Sequence, residues 1–419
     1  MNYDVVVAGA GITGLSTAYH LQAKDQSLRI LVVDKAHTFG QGNTGRSAAK
    51  VRDTFTSTVS IQLSQTSIDA YRAIQDSGIP IGLDFRGYLW LMSLQQMGEK
   101  SSLVQKMIGN HVEVRIIGSD ELQRHMPMLK QSIDYEVQQE MQLGNAENGL
   151  FGVNCGSIDP LLLAEFYASE FIRNGGQILY DTKATGFIFS EDGEQDPNRL
   201  VEDRIYGIKT QNGNIFAGKT VAAVNSWSRE LLEPSGIMSY IYPQKRQLFH
   251  VNSSIFDNVK SFSNGSGPAF PFTILPHKGI YLYTHGPTVT IGYADYAGRP
   301  ISHEEDPQGD PSMFKRKIMP IVAAYFPGLQ NAPGEHADAG YYDYSLDGVP
   351  VIHEPVINLI IAVGLSGRGI MHADAVGRVT ASKVLEEKVA TLFPKVPFKV
   401  SRLSGDPAVR NVDKEEWII

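Results

Sequence analysis

Residues 5–34 read VVVAGAGITGLSTAYHLQAKDQSLRILVVD. Val5 to Ala8 form a short unbroken apolar run, the pattern of a parallel strand buried on both faces. A glycine loop follows, then helix-forming residues from about Gly14 to Ala23, then a second buried run, Leu28 to Val33, that ends at Asp34. Strand, helix and strand within about 30 residues make one βαβ unit. The loop itself is Gly9-Ala10-Gly11-Ile12-Thr13-Gly14, a GxGxxG directly after a strand and opening a helix. The first glycine makes the tight turn, the second lets the backbone approach a pyrophosphate, and the third permits close helix–strand packing. Helix N-terminal amides then face the phosphates. With 40 glycines in the chain, a bare GxGxxG carries little weight. Here strand, loop, helix, second strand and an acidic residue, Asp34, 20 positions after Gly14, all agree. A carboxylate there binds ribose hydroxyls and favours a dinucleotide with a free 2′-hydroxyl. The unit alone leaves NAD and FAD open.

Outward from this unit, GQGNTGRSAAKVRD is rich in glycine and small polar residues and leads into a helical stretch from about Ser57 to Asp76. Strand signals occur at Gly87–Met92 and Val112–Ile117. Ile158 to Asn174 reads as an amphipathic helix with Pro160 in its first turn. Two strands follow, around Gln177–Asp181 and Gly186–Ser190, then a polar hairpin, EDGEQDPNRLVED. Ile205 to Val224 alternates strands with a QNGN turn, and Pro243 to Asp295 is β-rich. Leu359–Val363 is another buried strand, followed by GLSGRG and a helix from about His372 to Glu387. The stretch from about Pro394 reads as a surface tail. Strand-rich and βαβ-like regions interleave, so the nucleotide domain is expected to be assembled from separated pieces.

Composition narrows the class. At 419 residues two domains are the natural expectation. The apolar and charged fractions, 42% and 20%, are those of an ordinary globular protein. A net charge of −8, without a long Lys/Arg block, gives no footing for a nucleic-acid partner. The single cysteine, Cys155, forms no intrachain disulfide and is a nucleophile or a small, partly buried loop residue. No metal site is read. The opening MNYDVVVAGAG shows no secretory signal and no run has membrane-spanning length. The cytoplasm is therefore the expected compartment, with peripheral membrane attachment left open.

These motifs resemble the D-amino-acid oxidase superfamily of flavoproteins, and within it the sarcosine oxidase β-subunit and dye-linked L-proline dehydrogenase branch. The resemblance runs in order through VVVAGAGITGLSTAYHL, VVDK, GNTGRSAAKVRDTF, GSIDPLLLAEFYA, AAVNSWSREL, YPQKRQ, TVTIGYAD, YYDYSLDGVPVI and AVGLSGRGIMHA. It implies FAD in a Rossmann-like domain with a second, mainly antiparallel-sheet substrate domain, α/β in the first part and α+β overall. The FAD domain would comprise residues 1–85, 145–230 and 335–393, the substrate domain 86–144 and 231–334, and the tail 394–419.

The site residues follow from the same resemblance. Gly9, Gly11, Ile12, Thr13, Gly14, Asp34, Lys35, Asn43, Thr44 and Ala184 would hold the dinucleotide. Arg46 and its neighbours Ser47, Ala48, Ala49 and Lys50 would line the flavin ring, with Gly340. The loop Gly364 to Gly369, with Gly367, Arg368, Gly369, Ile370 and Met371, would contact the flavin from the C-terminal side. There a helix N-terminus and Arg368 would stabilise negative charge on the reduced ring. Arg52 would grip a substrate carboxylate through its bidentate fork, with a solvated or phosphate-facing arginine as the alternative. Tyr342 would assist it, and Tyr281 or Tyr283 would face the flavin or else serve in the core or at the surface. Arg52, Tyr342 and Arg368 form the expected catalytic set.

Departures from the family pattern matter equally. Gly340 stands where some members attach FAD through cysteine, and Ile158 where others carry a covalent second flavin, so FAD is expected to be non-covalent. Met371 replaces a carboxylate-binding lysine, and Val224-Asn225 replaces an AAG motif, with Trp227 retained. Thr290 falls where oxidases keep a lysine near flavin N5; Lys278 lies before that strand. The expected reaction is oxidation of a small secondary amine or amino acid by a dehydrogenase that passes electrons to a dye, quinone or partner protein. Two alternatives stay open. One is 2-hydroxy-acid or glycerol-3-phosphate oxidation, with His250, His285 or His353 as base; the other is a non-catalytic flavin-binding relay subunit. The sequence is compatible with an oligomer.

Overall fold

The computed structural model describes residues 3–191, 204–262, 269–276, 279–293, 304–332, 334–410 and 412–417. The hairpin expected at 191–203, Lys278 and the end of TVTIGYAD lie largely or wholly outside these residues. The first buried run is strand β1, Tyr3–Ala8, the helix after the glycine loop is α1, Ile12–Lys24, and the second run is β2, Ile30–Val33. β1 sits in the middle of a parallel array, with β2 on one side and Gly213–Ala222 on the other. Leu359–Val363 extends the array beyond Gly213–Ala222, and Gln177–Leu179 extends it beyond β2. The chain leaves β1 towards β2 and fills the opposite side only about two hundred residues later. This is a topological switch point, and the crevice at the carboxyl ends of such strands takes ligands.

The third glycine of the loop works through packing. A Cβ on Gly14 would lie 1.9 Å from the Gly9 carbonyl oxygen. Gly9 has φ +107°, open to glycine and strained for other residues. The closing helix, Gly369–Val384, packs along α1, where Gly377 leaves room for Ser16, whose hydroxyl donates to the Ala373 carbonyl at 2.8 Å. That helix begins three residues earlier than the sequence suggested, so its first amides stand directly after the glycine loop.

Two further elements carry the site. Strand β3, Lys50–Arg52, leads into helix α2, Thr58–Asp76, capped by Ser57. The second sheet has eight strands, Gly334–Tyr344 at one edge followed by Tyr242–Asn252, Thr288–Tyr293, Ile280–His285, Phe272–Ile274, then β4 (Tyr88–Met92), Asn148–Gly152 and Val114–Ile117. All pairs are antiparallel except Phe272–Ile274 with β4.

Three expectations need correction. Asn148–Gly152 and Gly334–Tyr344 belong to the second sheet, not to the nucleotide part of the chain. NGLFG is short and glycine-flanked, and period-2 alternation cannot assign a strand to a sheet. The segment after Pro394 is not a surface tail: Phe398, Leu403, Glu415 and Trp417 are all buried. Glu415 accepts hydrogen bonds from Thr56 N, Thr56 Oγ1, Ser57 N and Trp417 N, and Asp413 accepts from Thr58 N. Isolated residues without a periodic run find these partners only in three dimensions. Cys155 is wholly buried in the strand Cys155–Ser157 that pairs with β3, and burial pushes its thiol up to about 12, which leaves it a poor nucleophile.

Candidate active site

Three adjoining cavities run from the switch point into the interface of the two sheets. The outermost, of about 440 Å³, is lined by Gly9, Gly11, Ile12, Thr13, Asp34, Lys35, Asn43, Thr44, Arg46 and Ala184, with Ala223 and Val224 opposite. Gly11 caps α1 without a side-chain bond, and the first turn holds no acidic residue, so the helix N-terminus faces the cavity open to an anion. The Ile12 amide donates to Thr44 Oγ1 at 3.0 Å, which pins the second loop to the first. The Asp34 carboxylate accepts from Ala10 N at 2.6 Å and Ala36 N at 2.8 Å while still rimming the cavity. Gly14 packs behind the loop and does not line the space. This cradle of backbone amides and a fixed carboxylate fits the pyrophosphate and ribose of a dinucleotide.

An acidic segment that the sequence reading missed reaches this cavity, with Glu305 among its lining residues. Glu305 pairs with Lys35, Asp306 with Arg46 at 2.5 Å, and Glu304 with Lys245 at 3.1 Å. These residues are distant in sequence from their partners, and no local pattern joins them.

Inward, a narrow slot continues past Asn43, Thr44, Arg46, Ser47 and Ala48, with Gly340, Tyr342, Gly367, Gly369 and Ile370 on the other walls. A Cβ on Gly340 would come to 3.5 Å from Arg46 Cβ, and Gly367, at φ +77°, lets the Tyr342 ring pack on its backbone. Asp343, the next residue along that strand, holds the loop in place: its carboxylate accepts from Gly364 N at 2.7 Å and Leu365 N at 3.1 Å. Burial raises its pKa to about 7 against these amides. The flat, glycine-walled slot next to the dinucleotide cradle fits an isoalloxazine ring.

The innermost chamber shares Ser47, Ala48, Tyr281, Tyr342, Gly367 and Ile370 with the slot and adds Lys50, Arg52, Tyr88, Phe272, Tyr344, Arg368 and Met371. Arg368 and Met371 were expected at the flavin; both line this chamber and not the slot. At about 100° per residue, Gly369 and Ile370 turn towards the slot and Met371 turns away. Arg368 donates to the Gly348 carbonyl at 2.7 Å and lies 5.0 Å from the Phe55 ring.

Arg52 is 3% exposed. It donates to the carbonyls of Thr54 and Trp417, and stacks 4.0 Å from the Phe55 ring centre. Burial, then the Arg368 charge, lowers its pKa to about 10, so it stays charged at neutral pH. Tyr342 is enclosed, and burial holds its hydroxyl protonated. Tyr281 and Tyr283, alternate residues of one strand, both stack on Phe272, and of the two only Tyr281 lines the chamber. Thr290 is buried, its hydroxyl 3.0 Å from His250 Nδ1. Its strand, Thr288–Tyr293, carries no lysine, but β3 brings Lys50 to the neighbouring strand, with Nζ 3.9 Å from the centre of the Tyr283 ring. None of His250, His285 and His353 lines the chamber.

Comparison with known proteins agrees with this geometry. The family model DAO, FAD dependent oxidoreductase, matches residues 4–383. FAD-dependent oxidoreductase domain-containing protein 1 of Xenopus laevis is 27% identical over 93% of this chain and 80% of its own length. Sarcosine oxidase subunit beta of Arthrobacter sp is 23% identical over 96% of this chain and 91% of its own length. Among solved structures, L-proline dehydrogenase from P. horikoshii superposes with a TM-score of 0.73 at 23% identity, covering 92% of this chain and 94% of that one. Cradle, slot and chamber together with this match make the chain a member of the DAO family of FAD-dependent oxidoreductases.

Proposed function

We propose that this protein binds FAD non-covalently and oxidises the C–N bond of a small secondary amine or amino acid, sarcosine- or proline-like, as a dehydrogenase. The observation that carries the reading is the buried, charged Arg52 facing an aromatic chamber that opens directly onto the slot, with Tyr342 on their shared wall. When bound, FAD would supply the two-electron acceptor for an α-hydride. Arg52 would grip the carboxylate in two places, and Tyr342 would donate to it. Tyr88, Phe272 and Tyr281 would enclose the apolar part and exclude water. Orientation of the α-carbon at the slot is then the chain's main contribution to rate. With Gly340 and Ile158 at the positions of flavin attachment in relatives, neither offers a side chain for a covalent link.

The dehydrogenase reading rests on Thr290, a neutral side chain already bonded to His250. With a neutral threonine at that position, and Lys50 held instead over the Tyr283 ring of the neighbouring strand, oxygen would accept electrons slowly, and a dye, quinone or partner protein would take them. Anaerobic mixing with sarcosine, proline enantiomers, glycine, other D-amino acids and 2-hydroxy acids tests the substrate class. Bleaching by amines is expected. Bleaching by hydroxy acids alone would overturn it, and bleaching by nothing would favour a relay subunit. Stopped-flow mixing of the reduced protein with air-saturated buffer tests the acceptor: reoxidation as fast as turnover with a dye would refute the dehydrogenase assignment.

A further inference from the structure

The chamber holds one amine. Lys50 and Arg52 are alternate residues of β3 and point to the same side, into the chamber. Lys50 is half-buried, and Nζ has no carboxylate or hydrogen-bond partner among the described residues; only the Tyr283 ring face lies against it. The charged groups near it are Arg52 on its own strand and the Asp84–Arg86 pair, joined to each other at 2.6 Å, in the loop before β4. Other chamber residues carry hydroxyls, guanidiniums or apolar groups, and no carboxylate lines the space.

A secondary amino acid arrives in water as an ammonium, yet only the neutral amine has the lone pair that C–N oxidation requires. Building on the proposed amine oxidation, we infer that Lys50 is the proton acceptor. The substrate enters as R2NH2+ with its carboxylate on Arg52, gives one N–H proton to the neutral Lys50 amine, and becomes R2NH; Lys50 becomes an ammonium and returns the proton to water when product leaves. Charge and atoms balance without any further reagent. The chemistry of the group agrees: burial, then the Arg86 charge, lowers Lys50 to about 7, with Asp84 acting the other way, so the free amine is well populated at neutral pH. A bound carboxylate raises its proton affinity at the moment the proton must be taken. The electrostatics also work on the substrate, because the two guanidiniums of Arg52 and Arg368 and the absence of a lining carboxylate favour its uncharged nitrogen.

Proton uptake tests this without turnover. Isothermal calorimetry of the FAD-loaded protein with 2-furoate at pH 8, in phosphate and in Tris, reads protons exchanged per carboxylate bound. Wild type is expected to take up a substantial fraction of a proton, and Lys50→Met and Lys50→Arg none. Binding without uptake in wild type, or uptake that persists in both variants, would overturn the inference alone. No binding of 2-furoate would overturn the carboxylate reading of Arg52 and this inference together. A second measurement is the pH dependence of flavin bleaching by the best amine of the panel. The rising limb near pH 7 should move in Lys50→Met towards the amine's own pKa, about 10 by analogy with lysine. A limb that stays in place would refute the assignment.

Discussion

Replacing Arg52 by alanine separates the proposed chemistry from simple architecture. In the folded chain the guanidinium donates to two backbone carbonyls, Thr54 and Trp417, and stacks at 4.0 Å on Phe55. Losing that stacking costs about 0.5–2 kcal/mol, and each carbonyl left without a donor about 1–3 kcal/mol unless water replaces it. Against this stands relief from burying a cation: a pKa pulled down to about 10 corresponds to roughly 3 kcal/mol of unfavourable surroundings. The relief offsets only the lower end of these costs, so Arg52→Ala should fold and keep its flavin spectrum, with a lowered Tm. Substrate binding has no such offset. A charged hydrogen-bonded partner contributes about 1.5–3 kcal/mol, which predicts a rise in Kd for a carboxylate substrate of about 10- to 150-fold. Arg52→Lys should recover only part, because the fork is lost. The assay is the concentration dependence of anaerobic flavin bleaching, with 2-furoate binding as a control free of chemistry. If Kd stays within twofold of wild type while the flavin is intact, the carboxylate is held elsewhere and the reasoning fails.

Acid precipitation should release all the yellow colour to the supernatant, since Gly340 and Ile158 offer no attachment; colour retained in the pellet would contradict this. Asp34→Ala removes the carboxylate that accepts from Ala10 N and Ala36 N and would meet the ribose. FAD affinity, measured by flavin fluorescence on titrating apoprotein, should fall about 10- to 100-fold, and an unchanged Kd would remove Asp34 from the cofactor site. Glu415→Ala leaves the amides of Thr56, Ser57 and Trp417 without their buried acceptor, a loss of about 2–4 kcal/mol that thermal unfolding should read as a lower Tm. The same variant should weaken 2-furoate binding, because the Trp417 carbonyl steadies Arg52; a Tm equal to wild type would mean the C-terminal segment is not structurally engaged.

Some of the site was legible because its chemistry is local. A GxGxxG loop has to follow its strand and open its helix, and each glycine answers a contact only a few residues away, such as Gly14 against the Gly9 carbonyl. The sequence thus determined the βαβ unit, the place of Asp34, the second loop around Thr44 and the strand–loop–helix at Gly364 to Gly369. It also marked Arg52 and Tyr342, though only through resemblance. Tertiary structure alone decided what those residues share. Arg52 and Tyr342 are 290 positions apart and meet in one chamber because β3 and the edge strand Gly334–Tyr344 converge there from different sheets. Strand periodicity specifies which face a side chain takes but not which sheet the strand joins, so Asn148–Gly152 and Gly334–Tyr344 were misassigned. The same limit hid the Glu304–Asp306 clasp, the buried Glu415 and Trp417, and the approach of Lys50 to Tyr283. An ion pair or a partly enclosed amine acquires its energy from neighbours distant in sequence, and the surroundings that lower Lys50 to about 7 exist only once the chain has folded around it.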